Sequence, residues 1–196
     1  MSTRGAIVRL TNGALGAAEF KGVYHHWDSY PTGLGRTLWH LFQEHFKFDL
    51  DAMLKTLIDD HPAGWSTIVG ADFMQVPGCG YPEGSTQEQI DKWREKPHPQ
   101  CYCHGARSEE AWEVTEKNAS ASGVEWVYAF SPGEGGGSPM MTIFSSYCAD
   151  GSKMIGMFGM GDEKASWRRV AEIALLQLPE PDWAAIENPG GGEEEA

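Results

Sequence analysis

Positive charge is scarce in this chain. Lys and Arg number 15 against 28 Asp and Glu, a formal net charge of −13 over 196 residues. So acidic a body disfavours nucleic acid and anionic lipid, whose binding depends on Lys and Arg neutralising phosphate. From Glu180 onward six acids occur without a single Lys or Arg, which leaves −7 for the remainder. Long apolar runs are missing too. No stretch approaches the roughly 18 apolar residues of a membrane span. The opening M-S-T-R-G-A-I-V-R-L has no apolar core of a secretory signal, so a cytoplasmic location is expected. Cysteines are few: Cys79, Cys101, Cys103 and Cys148. In that compartment they are expected as thiols or metal ligands, not disulfides. No internal repeat occurs, and no regular β-α-β series that would build a parallel sheet.

What is present suits a globular domain. Hydrophobic residues make up 41% and charged residues 22%, and eight tryptophans supply large apolar area for a core or a partner. Gly5 to Leu10 reads as a short strand, and Thr11-Asn12-Gly13 carries a hairpin signal. Phe20 to Asp28 returns as a second strand. Period-two geometry puts Val23, His25 and Trp27 on one face, read as core-directed, and Tyr24, His26 and Asp28 on the other. Tyr30 to Gly35 is a turn by composition. A helix then carries Leu38, Leu41, Phe42 and His45, and Asp49 caps a second with Leu50, Met53, Leu54, Leu57 and Ile58 on one stripe. His61-Pro62-Ala63-Gly64 ends it, and Trp65 to Val69 is a strand.

Ser85-Thr86-Gln87-Glu88 fits a capping box opening a short polar helix. Val124 to Phe130, Met141 to Cys148 and Lys153 to Phe158 read as strands, the last two joined at Asp150-Gly151. Residues 167–178 fit either a helix or a strand. The expected fold is α+β: a largely antiparallel sheet with two or three helices on one face. Residues 1–179 form a single domain, and 180–196 a Pro/Gly/Glu-rich acidic tail, disordered at its end.

The densest local chemistry is H-P-Q-C-Y-C-H-G, residues 98–105. Zinc prefers four N or S donors in a tetrahedron, and thiolates with imidazoles suit it. Cys79, Cys101 and Cys103 with His98 or His104 make a candidate structural zinc site. C-x-C is tighter than the usual two-to-four-residue spacing, and reduced thiols in an irregular loop are the plain alternative. His26 and Asp28 are candidates for an acid–base pair, the carboxylate orienting the imidazole and raising its pKa, with Tyr30 beside them. The plain alternative is that Asp28 caps the turn while the histidines pack. Gly33-Leu34-Gly35-Arg36-Thr37 before a helix invites a phosphate, but matches neither a Walker A loop nor G-x-G-x-x-G, and ordinary turn glycines are favoured. No H-E-x-x-H or H-x-E…P-C-x-x-C pattern marks a catalytic zinc.

M-S-T-R at the start, Y-H-H-W-D-S-Y-P-T-G-L-G, C-Y-C-H-G and Y-C-A-D-G-S-K-M-I-G-M-F-G-M-G-D together resemble a family of small proteins from actinobacteria and their phages. Relatives read H-W-D-G-Y-P where this chain has Ser29. The resemblance spans most of the chain outside the acidic tail. It implies a bacterial or phage setting and a single domain, and carries over no catalytic residue. With no complete catalytic constellation, the expected function is non-enzymatic binding or regulation, with a protein or small-molecule partner. The alternative is a small hydrolase-type enzyme using His26 and Asp28.

Overall fold

The computed structural model describes residues 3–12, 18–68, 84, 86–94, 99–104, 109–133, 137–146 and 167–188. Strand β1 (Gly5–Asn12) opens with Gly-Ala-Ile-Val, all buried, because both faces of the sheet are covered at this point. Ile7 enters one core and Ala6 and Val8 the other. β1 pairs antiparallel with β2 (Glu19–His25), as the Asn-Gly signal predicts.

From β2 the chain turns a corner into a helical run over Pro31–His45. Its centre is α1 (Arg36–His40), flanked by wider turns at Pro31–Gly35 and Leu41–His45 in which an N–H reaches back five residues. After a sharp bend, α2 (Leu50–Leu54) continues in the same wide winding through Asp59. Asp49 caps it as expected, its Oδ1 accepting the Ala52 N–H at 2.9 Å.

The remaining elements are β3 (Trp65–Thr67), α3 (Gln87–Arg94), β4 (Gln100–Cys101), β5 (Val114–Thr115), β6 (Trp126–Ser131), β7 (Met140–Ser145), β8 (Arg168–Ala174) and α4 (Trp183–Glu187). The sheet runs β4-β3-β2-β1-β6-β7-β8, with β5 added beside β2. Pairings β1–β2, β2–β5, β3–β4, β6–β7 and β7–β8 are antiparallel, and β1–β6 and β2–β3 are parallel. The fold is α+β. Leu38, Phe42, Met53 and Leu57 of the helical layer pack on the face that carries Ile7 and Val23. Val114, Ala119 and Val124 cover the other face over Val8 and Phe20.

Four details differ from expectation or settle it. Strand β2 stops at His25, so the alternation ends there and Trp27, read as core-directed, is 49% exposed. The corner expected as an open turn at residues 30–35 is helical from Pro31. The capping box sits one residue later: Thr86 Oγ1 accepts the Gln89 N–H while Gln89 Oε1 accepts the Thr86 N–H. Residues 168–174 resolve as strand because β7 offers them a ladder, with a bulge that absorbs Val170.

The segment from 180, assigned by composition to the tail, is built into the fold as far as Asn188. Trp183 is buried against Gly35, and Glu187 Oε2 accepts both the Thr32 hydroxyl at 2.7 Å and its N–H at 3.2 Å. Residues 189–196, like the strand and hairpin read at residues 148–158, lie outside the described residues. Among the described residues no helix is long and apolar enough to cross a membrane.

Candidate metal centre

The α2 run ends in a turn whose Asp60 N–H reaches back to the Lys55 carbonyl. That winding swings the His61 ring under the helix end, where Nδ1 lies 2.6 Å from the Thr56 carbonyl. A carbonyl only accepts, so Nδ1 carries the hydrogen and Nε2 carries the lone pair. One of the helix's orphan carbonyls is thereby satisfied, and the imidazole is fixed in a single tautomer. Trp65 packs its ring 4.2 Å from that of His61, and its own Nε1 donates to the Leu57 carbonyl at 2.8 Å.

Pro62-Ala63-Gly64 then turns the chain into β3. Gly64 has φ +83°, and a Cβ there would fall 2.4 Å from the Tyr24 carbonyl oxygen, so only glycine fits. Register completes the arrangement. Trp65 faces Cys101 across the β3–β4 pair, and the Tyr102 N–H donates to the Gly64 carbonyl. This lays the Cys101-Tyr-Cys-His104 segment beside the helix end that carries His61.

His61, Cys101 and His104 converge there, each with a donor atom within 4.8 Å of the others. Cys101 Sγ lies 3.1 Å from His104 Nδ1, and the His61 and His104 rings meet edge to face at 5.2 Å between centroids. Zinc bonds of about 2.3 Å to sulfur and about 2.0 Å to nitrogen set tetrahedral S···N separations of roughly 3.5 Å. The Cys101–His104 spacing needs to open by only a few tenths of an ångström, and the separations to His61 lie within 4.8 Å. Cys101 is 0% exposed and His61 7%, whereas His104 is exposed. Burial lowers the His61 pKa, as does His104, against the Thr56 bond and the Asp60 charge that raise it. The ring is therefore neutral near pH 7, the form a metal requires. The group could hold a metal ion.

The chain matches no family model, no curated protein and no solved structure.

Of the zinc ligands proposed from sequence, Cys101 and His104 come together. Cys103 is not in that group; its Sγ accepts the Ala63 N–H at 3.1 Å, bracing the turn after His61. Cys79 and His98 lie outside the described residues. His61 was not foreseen as a ligand, having been read only as part of a helix stop. It precedes Cys101 by forty positions, and only the β3–β4 register brings them together.

The His26 and Asp28 side chains find other company. His26 Nδ1 is 3.0 Å from the Tyr24 hydroxyl, and its ring packs on Trp27 at 4.6 Å. Its pKa is lowered, by desolvation and then by the Arg4 charge, where an orienting carboxylate would raise it. Asp28 sits at φ 52° and accepts the Leu34 N–H on its carbonyl; its carboxylate takes the Tyr30 hydroxyl and raises the Tyr30 pKa. The glycine turn offers no phosphate cradle. The Gly33, Leu34, Gly35 and Arg36 N–H groups are all bonded within the corner, and Arg36 Nε donates to Glu180 Oε1 at 3.0 Å.

Proposed function

We propose that this protein binds a zinc ion through His61, Cys101 and His104, and that it is a non-enzymatic binding or regulatory protein of a bacterial or phage cytoplasm. The observation that carries the reading is the convergence of one thiol and two imidazoles, with His61 oriented by a backbone carbonyl. Such an outer hydrogen bond fixes ligand imidazoles in metal sites. Zinc suits a mixed N/S donor set and needs no redox partner. The ion would fasten the β3–β4 edge to the end of the α2 run, adding to the bond from Trp65 Nε1 to the Leu57 carbonyl.

The binding reading draws on a second surface. Trp27 and Trp112 are 49% and 42% exposed and are linked through the rings of His26 and Tyr24. Exposed aromatics of this kind are enriched where proteins meet partners. The sequence likeness to small actinobacterial and phage proteins supports the setting.

Metal analysis of protein made without a His tag and dialysed against zinc tests the site. About one zinc per chain is expected, lost in Cys101→Ser and kept in Cys103→Ser. A wild-type stoichiometry near zero, or an unaffected Cys101→Ser protein, refutes it.

A further inference from the structure

Resting on that metal reading, we infer that the metal's fourth coordination position lies on the solvent side, beside His104, and takes a small monodentate anion from solution. Burial is graded across the site. Cys101 belongs to the core, and His61 is backed by Trp65 and tied to Thr56, so these two donors form an inner wall. His104 is the exposed member, and its ring stands at 72° to that of His61. Among the described residues, an ion held between them has protein on its inner side and lies open past the His104 edge.

Charge selects the class of ligand. A divalent ion with one thiolate and two neutral imidazoles keeps one positive charge. His61 would bind as the neutral imidazole a metal requires, its Nδ1 hydrogen committed to the Thr56 carbonyl and Nε2 left as the donor atom. The carboxylate next to it in the chain is not among the donor atoms, Asp60 being bonded to Lys55 Nζ at 2.6 and 2.7 Å. A singly charged anion completes both the tetrahedron and the charge balance. Water or hydroxide holds the position at rest, and softer anions displace it, as a borderline-soft metal with a sulfur ligand prefers. The site then recognises small soft anions, with azide as the simplest probe.

Cobalt(II) placed in the full-length chain reports this directly, because its visible bands follow coordination and its thiolate charge-transfer band follows Cys101. Azide is titrated at constant ionic strength, with perchlorate as the control anion. The expected result is a saturable shift of the visible bands with the Cys101-dependent band retained, and no shift with perchlorate. A cobalt protein that shows the Cys101-dependent band and ignores azide overturns the inference while leaving metal binding intact. If Cys79→Ser or His98→Ala turns an unresponsive site into a responsive one, the chain itself supplies the fourth donor and the inference is wrong. Absence of any Cys101-dependent band removes the metal reading and the inference with it.

Discussion

Acid should weaken this protein through His25. The residue closes strand β2, is buried, and has its Nδ1 2.8 Å from the Ser29 hydroxyl, while Nε2 has no hydrogen-bond partner among the described residues. Burial, and secondarily the neighbouring His26, lower its pKa from 6.5 to about 3. The folded chain thus holds His25 neutral where the unfolded chain would protonate it. The neutral ring's contribution is complete above about pH 6.5, and is lost as pH falls toward the folded value. A shift of roughly 3.5 units at about 1.4 kcal/mol per unit amounts to about 5 kcal/mol at most, a large part of a domain's usual 5–15 kcal/mol. Other groups titrate in the same window, so the quantity to measure is a difference. Urea unfolding followed by tryptophan fluorescence at several pH values between about 7.5 and 4 should be compared for wild type and His25→Gln. The wild type should lose up to about 1.4 kcal/mol more per pH unit than the variant below pH 6.5. Equal slopes in the two proteins would show that His25 does not titrate as its burial demands.

Three substitutions probe the frame around the site and the C-terminal segment. Gly64→Ala puts a Cβ against the Tyr24 backbone at a positive φ, and should cost about 2–4 kcal/mol in thermal unfolding and weaken metal uptake. Trp183→Ala empties a buried site beside Gly35 and removes the 2.8 Å bond from the indole to Glu180. A loss of about 3–5 kcal/mol is expected, with hydrogen-exchange protection falling first around residues 183–188. Asp49→Ala should cost about 1 kcal/mol by removing the cap on Ala52, and Asp49→Asn should retain most of the stability; equal losses would show the cap is not what Asp49 contributes.

Local order was legible where short-range chemistry decides it. The β-branched run of β1, the Asn-Gly signal, the Asp49 cap and the apolar stripe of the second helix each depend on neighbours a few residues apart. Ambiguity arose where a partner chooses. Residues 168–174 carry both periodicities, and it is the β7 ladder, bulged at Val170, that makes them a strand. Trp27 continued the alternation on paper, yet the strand had already ended at His25. Glu180 to Glu187 reads as the start of an acidic tail by composition, whereas Trp183 packs it against Gly35 while Glu180 bonds Arg36 and Glu187 bonds Thr32.

The sequence by itself determined an acidic α+β protein, several of its strands and the Asp49 cap, and it named Cys101 and His104, two members of a group that could hold a metal ion. These follow from composition, periodicity and adjacency, which the unfolded chain already contains. Only the tertiary structure brought in His61, set the Cys103 Sγ against the Ala63 N–H, and placed His26 beside Tyr24 and Asp28 beside Tyr30. The reason is range. A ligand set joined across a β3–β4 register and a helix end depends on pairing between distant segments, and no local pattern encodes which distant histidine that pairing will deliver.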